Sequence, residues 1–196
     1  VNHSLNWIKT YTTASLAEDR TLGSNSIRQP LDNLRNAGLI YGNIIYNKAP
    51  VMMQKLVEIM SEEAYQKGIQ KYLKTYAYGN ATWDDLIAIL DAKSEEDLAT
   101  FSDVWVNQKG MPHITFTNRC GQLEIRQRDP LNRGLIWPQR FQITFQGEEE
   151  NTTVEVNLTG ETYALTVPLG TQAILPNTDE RGYGLFIPDE QSMEWI

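Results

Sequence analysis

The sequence predicts an α plus β protein of two domains: a helical half over residues 1–110 and a small antiparallel β-sandwich over residues 111–196. Three observations predict it. Apolar residues recur at helical spacing as far as Trp105, then alternate with polar residues from His113 onward. All eight lysines lie at or before Lys109, so the second half uses arginine alone for positive charge. The first half carries 11 basic and 13 acidic groups, the second 6 and 12, a shift in balance that sets a boundary near Gly110.

After an irregular start the first helix opens in "PVMMQKLVEIM", with Pro50 suited to a first helical position. That placement makes residues 46–49 the loop leading into it. "SEEAYQKGIQKYLKTYAYG" follows, with Ser61 as N-cap, Glu62 and Glu63 in the first turn, and lysines later, all favourable to the helix dipole. Its apolar stripe is Tyr65, Ile69, Tyr72, Leu73 and Tyr76, and Gly79-Asn80 ends it. "TWDDLIAILDAKS" and "SEEDLATFSDVWVNQKG" repeat the grammar, with Thr82 and Ser94 as N-caps and Gly110 closing the last helix. Trp83, Phe101 and Trp105 read as core. Seven alternating segments come next: "HITFT", "QLEIRQ", "QRFQITF", "TTVEVNL", "TYALTV", "QAIL" and "GLFIP". Turn-rich breaks at regular spacing separate them, the pattern of a sandwich.

Composition narrows function by exclusion. A net charge of −8 disfavours nucleic-acid binding, which needs clustered Lys and Arg. No apolar run approaches the roughly 20 residues that cross a bilayer. Neither is there a basic-then-apolar start of the secretory kind, and the compartment stays open between cytoplasmic and exported. Cys120 is alone, which leaves no disulfide framework. His3 and His113 lack a His-x-x-x-His partner, so no metal site is expected in this chain. Ser24 and Ser26 have no histidine to activate them, and Glu148–Glu150 read as a solvated hairpin loop. The remaining candidate is Tyr46 in "LIYGNIIYNKAPVMMQKL", a phenol beside a helix start. A packing role is the default for such a tyrosine, with a cleft-facing role as its rival.

The stretch "IIYNKAPVMMQKLVEIMSEEAYQKGIQKYLKTYAYGNATWDDLIAILD" resembles the region downstream of the zinc site in aminopeptidase N-type zinc metallopeptidases. The matching motifs are Tyr46-Asn47-Lys48, Gly68 to Leu73, Asn80-Ala81-Thr82, Asp85-Leu86, and Trp105 through Gln108, Gly110 and Pro112. Upstream, "LAEDRTLGSNSIRQPL" resembles the family's Asp-x-x-x-Ser-His-Pro-Ile segment, and "LPNTDERGYGLFIPD" its Asn-x-Asp-Gly-x-Gly-Tyr signature. Two departures stand out: Lys48-Ala49-Pro50 replaces Lys-Gly, and "SNSI" replaces the histidine-containing form. The resemblance implies the C-terminal helical part of a thermolysin-like catalytic domain, joined to an immunoglobulin-like sandwich. It implies a parent that removes N-terminal residues from peptide substrates using zinc, and a catalytic role for Tyr46. There the phenol O–H would donate to the oxyanion formed when zinc-activated water attacks the scissile carbonyl. Phenols stay protonated at neutral pH, and one such donor is worth about 2.7–4 kcal/mol.

The His-Glu-x-x-His helix, the glutamate ligand and the Gly-x-Met-Glu-Asn loop of that family would lie before Val1. The fragment itself is therefore expected to be metal-free and catalytically silent, with zinc ligands outside this chain. It is also expected to bear an apolar patch around the helices after Tyr46 and to self-associate through it. Two other readings compete: a scaffold that has lost its zinc ligands, and a helical module on an adhesion domain with Tyr46 deeply buried.

Overall fold

The computed structural model describes residues 6–195, so His3 lies outside the described residues. The chain divides into two compact units, Val1–Gly110 and Met111–Ile196.

Among the described residues, the regular elements of the first unit are all helical. A π-helical stretch, Ile8–Thr12, runs directly into α1, Thr13–Asp19. This is the region expected to be irregular. Its helix was illegible because Ile8–Thr12 buries no residue, and α1 buries only the polar Ser15 and Asp19, which leaves no apolar stripe to read. A 3-10 segment, Leu34–Leu39, has Asn33 as its cap. A second π-turn, Ile44–Lys48, then continues into α2, Ala49–Met60. Helix α3, Glu62–Thr75, is capped by the Ser61 hydroxyl, which accepts from the Ala64 amide. Helix α4, Trp83–Asp91, opens with a full capping box between Thr82 and Asp85. Those Thr82 bonds hold the Asp85 carboxyl below the usual carboxylate range. Helix α5 spans Leu98–Trp105, and its cap is Asp97 rather than Ser94. Asp97 accepts from the Thr100 amide, whereas Ser94 closes a local turn onto Glu96.

Successive helices pack as neighbours, α2 on α3, α3 on α4, and α4 on α5. Met52, Leu56, Leu90, Leu98, Phe101 and Trp105 are buried. Trp83 is half-buried and donates its indole N–H to the Ser102 hydroxyl at 2.7 Å. In α3 the residue taken furthest inward is Gly68, while Leu73 from the expected stripe is exposed. A Cβ at Gly68 would come within 2.5 Å of Leu90 Cδ2, so the missing side chain is what lets α3 and α4 approach.

The second unit holds seven strands among the described residues: β1 His113–Arg119, β2 Gln122–Arg128, β3 Gln139–Gln146, β4 Thr152–Leu158, β5 Thr162–Thr166, β6 Ala173–Leu175 and β7 Leu185–Ile187. One sheet has the order β5-β2-β1-β7 and the other β4-β3-β6. All pairings are antiparallel except β1 with β7, which run parallel. Alternation places Ile114, Phe116, Leu123, Ile125, Phe141, Ile143, Phe145, Val156 and Leu158 in one apolar core. His113 sits half-buried opposite Arg128, and burial followed by that neighbouring charge lowers its pKa. A short helix, α6 (Glu190–Trp195), places the Ser192 hydroxyl to accept from the Ile174 amide at 2.8 Å.

The candidate site around Tyr46

Tyr46 occupies the middle of the Ile44–Lys48 π-turn, not a loop. The reason lies at Pro50. A proline has no N–H for the carbonyl four residues earlier, which is that of Tyr46, and its ring crowds that oxygen. A wider turn just before the proline relieves the clash: the Ala49 amide reaches back to the Ile44 carbonyl, five residues away. The helix therefore begins before Pro50, and Tyr46 is held in a continuous helical backbone.

Residues two apart on a helix do not share a face. Lys48 points inward and is fully buried, so Tyr46 points outward, with 58% of its surface exposed. The Tyr41 ring lies beside it, with centroids 5.8 Å apart and planes tilted by 55°. On the outer rim Asn47 donates to Asn43 at 2.8 Å, and Asn43 donates to Glu18 at 3.1 Å. The exposed phenol contrasts with a deeply buried packing tyrosine such as Tyr183.

Beneath the turn lies a polar cluster that sequence reasoning missed. Lys48 Nζ stands 2.6 Å from Asp19 Oδ2, with both side chains shut off from solvent. The same ammonium donates to the Gly110 carbonyl at 2.9 Å, and the Ser24 hydroxyl donates to Asp19 Oδ1 at 2.6 Å. Gly110 holds φ +88°, a conformation that glycine adopts without steric cost. The available signal was that Asp19, Ser24 and Lys48 all fall inside segments carrying the family resemblance. Ser24 thus has a carboxylate partner and a structural role.

Large apolar side chains are exposed in this unit, but mostly ahead of the turn: Leu22, Leu31, Leu34 and Tyr41, with Leu73 and Tyr78 after it. Of the helices expected to carry a patch, α2 turns Val51, Met52, Leu56 and Met60 inward, while Leu73 of α3 and Tyr78 after it are exposed. Among the described residues no group of three or more His, Cys, Asp or Glu could hold a metal ion. Likewise, none of their helices is long and apolar enough to cross a membrane.

In the second unit the residues of the "NTDERGYG" motif form a loop staple. Asn177 accepts from the Gly182 amide and donates to its carbonyl, while Tyr183 is buried with its backbone held by Gln139. These contacts fix a loop and present no reactive group.

Residues 2–105 match the peptidase family M1 domain. Aminopeptidase N of Streptomyces lividans is 27% identical over 203 residues, covering 92% of this chain and 24% of that protein. Puromycin-sensitive aminopeptidase of Caenorhabditis elegans is 28% identical over 156 residues, covering 79% of the chain and 16% of the relative. Aminopeptidase M1-A of Oryza sativa subsp. japonica is 28% identical over 123 residues, covering 63% and 14%. The chain thus spans less than a quarter of the length of these curated relatives.

Proposed function

The chain belongs to peptidase family M1, and on that premise we propose that it is the oxyanion-stabilising part of a zinc-dependent metallo-aminopeptidase acting on peptide N-termini. In this reading residues 1–110 are the helical part of a thermolysin-like catalytic domain, and 111–196 are an immunoglobulin-like sandwich. The observation that carries it is Tyr46: a phenol more than half exposed, on a turn whose inward neighbour is locked in a buried ion pair. The resemblance assigns the donor role to this position, and the exposure supports it.

Among the described residues no cluster fits a zinc site, and in this reading the metal's ligands belong to the remainder of the parent. What Tyr46 supplies is its own O–H, donated to the oxygen that gains negative charge as the peptide carbonyl becomes tetrahedral. Such a donor works because it is aimed in advance, so no reorganisation is needed when the charge appears. The isolated chain is expected to release no amino acid from peptides. It is also expected to self-associate through the apolar side chains exposed between Leu22 and Tyr46, which light scattering would detect.

The direct test is Tyr46→Phe in the full-length protein. The ring is kept and only the O–H is lost, so peptide hydrolysis should fall about 100- to 1,000-fold in kcat. Bound zinc and unfolding midpoint should stay unchanged. A Phe variant with near-normal kcat would overturn the assignment.

A further inference from the structure

Helix α1 grips the Tyr46 turn at both of its ends. Outside, Glu18 accepts from Asn43, the residue immediately before the turn, at 3.1 Å. Inside, the next residue, Asp19, meets Lys48, the last residue of the turn, at 2.6 Å. The outer tie is exposed and weak; the inner one is wholly buried and triply anchored. Asp19 is steadied from behind by the Ser24 hydroxyl, and Lys48 is drawn the other way to the Gly110 carbonyl.

We propose that the buried Asp19–Lys48 pair is a positioning device that sets the direction of the Tyr46 phenol; the inference rests on the oxyanion-donor reading above. Stability alone is a poor reason for such a pair. Removing two charges from water costs several kcal/mol per ion, and well-packed apolar residues of similar volume serve as well or better. What a charged pair does that an apolar pair cannot is fix direction: an ammonium aimed at one carboxylate oxygen and one carbonyl permits little sliding or rotation. A π-turn needs this more than an α-helix, because it occurs mostly as a single turn and has no long run of matching hydrogen bonds to hold it. With Lys48 fixed inward, rotation of the turn is fixed, and the phenol two residues earlier is aimed outward.

The experiment is a kinetic cycle in the full-length enzyme. Asp19→Leu and Lys48→Met are introduced together, so that neither charge of the pair is left behind, alone and on top of Tyr46→Phe. The paired variant should lose about 10- to 100-fold in kcat, the scale set by misplacing a reacting group by about 1 Å. KM should stay within about twofold, since the phenol acts on the transition state rather than on bound substrate. Added to Tyr46→Phe, the pair should lower kcat no further. Full kcat in the paired variant, with Tyr46→Phe slow, overturns the positioning role and leaves the donor role standing. Tyr46→Phe at full speed overturns the donor role itself. An equal loss in both backgrounds means general structural damage and also overturns the proposal. Should the paired variant fail to fold, Ser24→Ala gives the same reading on a smaller scale: a few-fold fall in kcat with Tyr46 present and none in the Tyr46→Phe background. Unchanged kcat, or a fall in both backgrounds, overturns it.

Discussion

The two units bury polar groups in opposite ways. In the sandwich, the side chains of buried Gln127, Gln139 and Asp129 bond backbone groups of adjoining loops, and Asp129 takes the partly exposed Arg133 guanidinium as well. Gln127 accepts from the Trp137 amide and donates to the Gly160 carbonyl, Gln139 does the same for Tyr183, and Asp129 accepts from the Leu131 and Arg133 amides. Each satisfies a backbone group that would otherwise be orphaned, and none lies beside an exposed reactive side chain. In the helical unit the buried polar residues include a full ion pair, Asp19 with Lys48, steadied by Ser24 and two residues along the turn from the exposed Tyr46. The first arrangement is how a sandwich closes its loops; the second spends desolvation free energy to fix one turn. The contrast locates the candidate chemistry better than composition does, because both units bury polar groups and, among the described residues, the pair with both side chains shut away from water is Asp19–Lys48 in the helical unit.

Breaking the ion pair from one side should give the largest effect on stability. Lys48→Met removes the ammonium that faces the buried Asp19 carboxylate at 2.6 Å, a change that typically costs about 3–5 kcal/mol. Denaturant unfolding followed by far-ultraviolet circular dichroism should show the loss. Asp19→Leu added to it should restore most of the midpoint, since the buried carboxylate is gone as well. A single variant as stable as the wild type would mean that the pair is not held as tightly as its geometry implies.

The matching change in the sandwich should be smaller. Gln139→Leu keeps the bulk but strands the amide and carbonyl of Tyr183, at about 1–3 kcal/mol for a buried group left unpaired. Peptide hydrolysis by the full-length protein should be untouched. A kcat loss comparable to that of the Asp19–Lys48 variants would erase the functional distinction between the units.

How much of this was legible depends on what each element buries. All seven strands were readable because a sheet with one apolar face writes that face at every second residue, as "QLEIRQ" does with Leu123 and Ile125. Helices α2 to α5 were readable from caps and stripes, with one cap displaced from Ser94 to Asp97. The helix over residues 8–19 wrote nothing, since its inward residues are serine and aspartate. Tyr46 stood out by its place before Pro50, and the donor role came from the resemblance. Its support was invisible: Lys and Asp are surface residues by default, and nothing local joins Asp19 to a lysine in another helical turn. A buried charge pair is a tertiary fact, and only the motif segments around both residues hinted at it.

The smallest effect is a matter of pH and belongs to the sandwich. Burial opposes ionisation of Asp129, but bonds from the Arg133 side chain and from the amides of Leu131 and Arg133 outweigh it, holding the carboxyl below the usual carboxylate range. A carboxyl whose folded pKa lies below its unfolded value of about 3.9 contributes stability fully above that value, and loses it as pH falls through the folded one. Asp129→Asn should therefore be less stable than the wild type near neutral pH. The two unfolding midpoints should converge as pH drops below about 4. Parallel acid curves for Asp129→Asn and wild type would show that the Asp129 loop is held by shape rather than by charge, and the contrast between the units would then rest on the Asp19–Lys48 pair alone.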